Sequence, residues 1–156
     1  MTLIREAAPA DLTALAQLCG ALGYPAEAAA LAVRLAGIAG SDTDLLLVAE
    51  NGQVVVGWVQ VHLSWVLEVG FRAEIAGLVV SPDARRTGVG RLLIAAAERW
   101  ARDQGASSVT VRSNNQRVES HQFYPAIGYE RKKTQEVYWK ALGGPRPPDA
   151  GPPDRT

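Results

Sequence analysis

The sequence is short of the residues that announce many chemistries. It has one cysteine, Cys19, so no disulfide can form within the chain. Cys19 falls among Leu12, Leu15, Ala16, Leu18 and Leu22, beside the apolar stripe of a predicted helix, which is the setting of a structural thiol. A catalytic cysteine needs an electropositive, partly exposed surrounding that this segment does not offer. Only two histidines occur, His62 and His121, and no Cys/His/Asp grouping has metal-ligand spacing, so no metal is expected. An excess of either charge is also missing: 16 Lys and Arg balance 16 Asp and Glu. A neutral chain has no long-range drive toward nucleic acid or anionic membrane, and neither is expected as a partner. No apolar run approaches the roughly 20 residues that span a bilayer. The opening Met1-Thr2-Leu3-Ile4-Arg5-Glu6 lacks the apolar core of a signal peptide, so the expected location is cytoplasmic.

What is present reads as one domain over residues 1–142, followed by a Pro/Gly-rich tail at 143–156 that carries too little apolar area to fold. Residues 2–6 are β-capable. Pro9 and Asp11 open a helix running to about residue 22, and Gly23-Tyr24-Pro25 break it before a second helix at about 26–39. Residues 44–50 and 54–63 read as strands joined by a tight turn at Asn51-Gly52. In the second of these strands, odd positions are apolar or Gly, while even positions include Trp58, Gln60 and His62. The pattern near residues 65–70 is unclear, and 72–80 is a strongly apolar strand. Val89, Leu92, Leu93, Ala96 and Trp100 recur at helical spacing, so 88–104 is an amphipathic helix. A strand at 108–112, a short helix at 117–124 and two closing strands within 129–142 complete the order. The expected class is mixed α/β of the α+β type, with a mostly antiparallel sheet of six or seven strands and about four helices.

The most informative segment is Arg85-Arg86-Thr87-Gly88-Val89-Gly90, between the apolar strand and the amphipathic helix. The start of a helix leaves about four N–H groups without internal partners and carries positive potential. Gly88 and Gly90 keep side chains away from those donors, and Arg85, Arg86 and Arg91 add charge. This is an anion site suited to phosphate or pyrophosphate. It is neither a P-loop, since no G-x-x-x-x-G-K-[ST] occurs, nor a dinucleotide fingerprint, since Leu93 stands where the third glycine would be.

Arg85-x-x-Gly88-x-Gly90, with Val80-Ser81-Pro82 before it and Leu92-Leu93 after, resembles the central motif of the GCN5-related N-acetyltransferase superfamily. The resemblance spans about residues 2–142, with its specific motifs within 74–129. It implies that acetyl-CoA is the cosubstrate, with its pyrophosphate held by backbone N–H groups of Arg86, Thr87, Gly88, Val89, Gly90 and Arg91. It also implies that Leu78, Val79 and Val80 pair with the pantetheine arm as a strand would. Ser120-His121-Gln122-Phe123-Tyr124-Pro125-Ala126-Ile127-Gly128-Tyr129 resembles the second family signature, which makes Tyr124 the candidate acid that protonates the departing thiolate. Pro125 should end or kink the short helix there. Glu74 resembles the base carboxylate of the histone-acetylating branch. His62 is a competing base on the polar face of its strand. Asn114 or Asn115 is implied to contact the pantetheine, with Asn115 preferred. The expected reaction is direct attack of a primary amine, small-molecule or peptide, on the thioester. A backbone N–H near Val80 would stabilise the oxyanion. The alternative is a non-catalytic CoA-binding regulatory module, and a homodimer is an expectation by family analogy alone.

Overall fold

The computed structural model describes residues 1–21, 23, 25–113 and 118–144, which form two compact units divided after Arg112. The first unit holds β1 (Thr2–Glu6), a 3-10 turn at Pro9–Asp11, α1 (Leu12–Ala21), α2 (Ala28–Ala39), β2 (Asp44–Asn51), β3 (Val54–Val66) and β4 (Gly70–Val80). A second 3-10 turn at Pro82–Ala84, then α3 (Val89–Asp103) and β5 (Val109–Val111), complete it. The sheet runs β1-β2-β3-β4-β5, antiparallel through β4, with β5 parallel to β4. The expected mixed, mostly antiparallel α/β class is the observed one.

Local chemistry accounts for the hairpins. Gly52 and Gln53 both take positive φ, 56° and 73°, as a two-residue turn between right-twisted strands requires. The turn therefore sits one residue later than the Asn-Gly pair suggested. The unclear stretch near 65–70 is a second hairpin: β3 continues to Val66, β4 begins at Gly70 (φ 95°), and Trp65 stacks against Phe71 at 5.0 Å.

Alternation along β3 separates the two faces. Val59, Val61 and Leu63 are buried and share a face with Ala73 and Ile75 of β4 and with the side of Gly57 that meets α3. From α3, Val89, Leu93, Ile94, Ala97 and Ala101 are buried at helical spacing. Each fully buried aliphatic of this kind contributes about 1.5–3 kcal/mol. Gly57 permits the approach: a Cβ there would lie 2.7 Å from the Val79 carbonyl oxygen and 3.2 Å from a Leu93 methyl. The other face carries Trp58, Gln60 and His62.

The second unit contains α4 (Val118–Ala126), which ends one residue past Pro125 and so stops about where the proline should stop it. The two closing strands expected within 129–142 are not formed, and the sheet has five strands among the described residues rather than six or seven. Residues 130–136 are Glu-Arg-Lys-Lys-Thr-Gln-Glu, a polar run with no alternating apolar face to bury, and they are exposed throughout. The Pro/Gly-rich stretch from 145 onward lies outside the described residues.

Candidate functional site

The centre of the site is a divergence between two strands. β5 pairs with β4 only where Val109–Val111 lie beside Ala73, Glu74 and Ile75. At the next residue β4 carries a bulge: Val61 pairs with Ile75 and Gln60 with Gly77, so Ala76 is unopposed. Beyond it Leu78, Val79 and Val80 pair with Val59, Trp58 and Gly57 of β3. Their other edge has no strand partner among the described residues. Such an edge presents N–H and C=O groups to which an extended ligand can bond as an added strand.

The bulge also reverses the side-chain faces, placing Gly77 and Val79 on the Trp58 side. The Trp58 ring lies on Gly77 so closely that a Cβ there would fall 2.7 Å from two ring carbons. The Trp58 indole Nε1 is buried and has no hydrogen-bond partner among the described residues.

β4 leads directly into the arginine loop. Ser81 N–H bonds to the Val56 carbonyl at 2.7 Å, and Ala84 is buried beneath the turn. Arg85 Nε donates to the Val80 carbonyl at 3.4 Å, and the Thr87 hydroxyl donates to the Ala84 carbonyl. Arg86 (φ 63°) and Gly88 (φ 89°) are both left-handed, which curls the backbone into the start of α3. For a non-glycine residue such as Arg86 this costs roughly 1–2 kcal/mol. Buried Val89 anchors that start, and no side chain among the described residues caps it. The first helical bond is Leu92 N–H to the Gly88 carbonyl at 3.0 Å, so the N–H groups of Val89, Gly90 and Arg91 precede the helical ladder. Arg85, Arg86, Thr87 and Arg91 are exposed around them. An uncapped helix start ringed by three guanidinium groups is an anion cradle, and its donors suit a pyrophosphate. Beside it, Ala14, Gln17 and Leu18 of α1 face Ser81, Pro82, Ala84 and Thr87 across a cavity of about 520 Å³.

Glu74 stands on β4 before the bulge, half-buried, with Arg72 Nη2 at 3.9 Å and Arg112 Nε at 3.6 Å. His62 is directly opposite it on β3, and Asp44 is opposite His62 on β2. His62 Nδ1 lies 3.0 Å from Asp44 Oδ1, while Asp44 Oδ2 accepts from Ser41 at 2.7 Å and Thr43 at 3.3 Å. Burial pushes the Asp44 carboxyl up, but the hydrogen bonds from Ser41 and His62 outweigh it and hold the group below its ordinary value. Sequence reasoning missed Asp44 altogether. Cys19 is half-buried and its thiol is raised by that burial, against a smaller opposing pull from Arg34, in keeping with an unreactive sulfur.

Tyr124 belongs to the second unit. Its ring packs edge-on against Phe123 at 5.1 Å and Tyr129 at 5.7 Å, and its carbonyl accepts the N–H groups of Ile127 and Tyr129. Asn114 and Asn115 lie outside the described residues. Among the described residues no group of three or more His, Cys, Asp or Glu is arranged to hold a metal, and no helix is long and apolar enough to cross a membrane.

Known proteins align with this arrangement. The model of the acetyltransferase (GNAT) family matches residues 11–129, which include the open edge of β4, the arginine loop and α4. The aminoglycoside N(6')-acetyltransferase type 1 of Stenotrophomonas maltophilia is 30% identical over 141 residues, covering 88% of this chain and 91% of that protein. The aminoalkylphosphonate N-acetyltransferase of Salmonella typhimurium is 36% identical over 97 residues, covering 62% of this chain and 61% of that one. Among solved structures, a transcriptional regulator from Bacillus halodurans superposes with a TM-score of 0.80 at 26% identity, covering 89% of this chain and all of that one. The aminoglycoside N-acetyltransferase AAC(6')-Iy in complex with CoA has the same fold, with a TM-score of 0.80 at 23% identity over 90% of this chain and 95% of that one.

Proposed function

Since the chain belongs to the acetyltransferase (GNAT) family, we propose that it moves the acetyl group of acetyl-CoA to a primary amine by direct attack within a ternary complex. One observation carries this reading: the edge of Leu78, Val79 and Val80, which has no strand partner among the described residues, leads through the arginine-rich loop into the start of α3. A strand edge suits the amide-bearing pantetheine arm, and the cradle suits the pyrophosphate joined to it.

The acceptor arrives as an ammonium ion with no lone pair, since alkyl amines titrate near the lysine value of about 10. Glu74 draws the cation in and takes its proton, directly or through a water. The freed amine attacks the thioester carbon, and a backbone N–H near Val80 stabilises the oxyanion. Collapse breaks the C–S bond, Tyr124, assigned by the family signature, gives a proton to sulfur, and the nitrogen's second proton restores the Tyr124 hydroxyl. No covalent enzyme intermediate is required. The names of the Stenotrophomonas and Salmonella relatives both describe small-molecule amines, which supports an acceptor of that class.

A second reading, a CoA-binding regulatory module without turnover, draws support from the Bacillus halodurans transcriptional regulator that shares the fold. Replacing Glu74 by Gln and Tyr124 by Phe separates the two. For an enzyme, CoA thiol release with a panel of primary amines falls at least 100-fold in the double variant. The thermal shift given by acetyl-CoA stays unchanged. A wild type that binds acetyl-CoA and releases no thiol with any amine favours the regulatory reading.

A further inference from the structure

We propose that His62, oriented by Asp44, is the terminal acceptor of the proton that the amine loses at Glu74. The inference rests on the acetyl-transfer reading above and deepens it. Its starting point is a transverse row on one face of the sheet, Asp44, His62 and Glu74, set by the pairing register of β2, β3 and β4. Directly opposed residues place their Cβ atoms about 4.5–5.5 Å apart, close enough for contact or for one bridging water.

Asp44 fixes the tautomer of the imidazole. An ionised carboxylate only accepts, so His62 Nδ1 donates across the 3.0 Å contact and Nε2 keeps its lone pair. Asp44 is itself fixed by Ser41 and Thr43. The serine hydroxyl bonds to Asp44 rather than to His62, so the trio is not a nucleophile-activating triad. His62 Nε2 makes no hydrogen bond among the described residues, and its side chain is 45% exposed, so it can pass a proton on to bulk water.

Glu74 is a poor place for the proton to stay. A neutral Glu74 leaves Arg72 and Arg112 at 3.9 and 3.6 Å without this counter-charge, and Arg72 Nε is already buried with no hydrogen-bond partner among the described residues. Transfer to His62 restores the Glu74 anion and creates an imidazolium next to the Asp44 anion. The balance is complete. The ammonium loses one N–H proton to Glu74, which a water relays to His62 Nε2. The nitrogen lone pair then forms the C–N bond, the C–S bond breaks as the thiolate takes the Tyr124 proton, the nitrogen gives its second proton to the Tyr124 phenolate, and the imidazolium discharges to solvent. Asp44 is a positioning residue in this scheme.

The test is the pH profile of kcat/KM for an accepted primary amine in wild type, His62→Gln and Asp44→Asn, with acetyl-CoA thermal shifts measured alongside. The charged groups that bear on His62 are Asp44 from β2 and Glu74 from β4, with Arg72 and Arg112 beyond Glu74. Wild type should lose activity as pH falls through an imidazole ionisation. His62→Gln should lose kcat at least tenfold together with that acid limb, and keep its acetyl-CoA shift. Asp44→Asn should lower kcat and keep the acetyl-CoA shift, because the imidazole is no longer held with its proton on Nδ1. In His62→Ala, free imidazole added to the assay should restore part of the rate, which a merely structural role for the side chain would not allow. Wild-type kcat and an unchanged acid limb in His62→Gln overturn the inference and leave the acetyl-transfer reading standing. A wild type that binds acetyl-CoA but acetylates no amine overturns both.

Discussion

Asp11 is the one buried charged residue among the described residues, 6% exposed, and its surroundings show how single residues lock the first strand onto the turn that opens α1. Arg5 donates to both Asp11 oxygens at 2.8 Å and to Glu50 at 2.7 Å, and Ala8 N–H donates to Asp11 at 2.8 Å. The Arg5 hydrogen bonds hold the Asp11 carboxyl below its ordinary value despite burial. A depressed carboxyl contributes stability that is fully present above the unfolded value near 4 and is lost as pH falls through the folded one. Asp11→Ala should therefore lower unfolding free energy by about 2–4 kcal/mol at pH 7 in urea titrations. That deficit should shrink below about pH 4, and a deficit that is the same at pH 7 and pH 3 contradicts the assignment. Residue-scale chemistry was the least legible in the sequence. Counting back from the Gly52-Gln53 turn puts Asp44 opposite Val61. Only the register shift between Ala49 and Glu50 brings His62 to it, and nothing in the residue types there announces a bulge.

Elements were far more legible, because their signals are periodic. The amphipathic stripe of α3, the alternation in β3 and the glycine turns all follow from residue spacing. The failure came where the spacing carries no pattern: residues 130–136 are uniformly polar, and Val137, Tyr138 and Trp139, within the stretch expected to hold two closing strands, are exposed. The junction of β4 with α3 is the element-scale feature on which the proposed acetyl-CoA binding rests. Gly88 sits at φ 89° with open space where a side chain would project, so a branched residue there meets backbone strain rather than a clash within the protein. Gly88→Val should cost roughly 1–2 kcal/mol of stability. It should also weaken acetyl-CoA binding at least tenfold by isothermal titration, since its side chain would occupy the anion's approach. Undiminished affinity in a folded Gly88→Val protein would remove the cradle from the binding account.

At the scale of the whole molecule, family and class were readable because the loop motif lies between a strand and a helix of the right kind, and the family match spans residues 11–129. The amine acceptor was not readable, because residues 12–39 carry no acidic run that would announce a polyamine or a basic peptide. The central claim concerns binding, and one measurement addresses it: the melting temperature of the purified chain with and without saturating acetyl-CoA. A ligand at about 100 times its dissociation constant adds roughly 2.7 kcal/mol, which shifts the midpoint of a domain this size by several degrees. The account expects that shift, saturating with concentration. No shift at millimolar acetyl-CoA would contradict it and return the arginine loop to the role of an ordinary helix start.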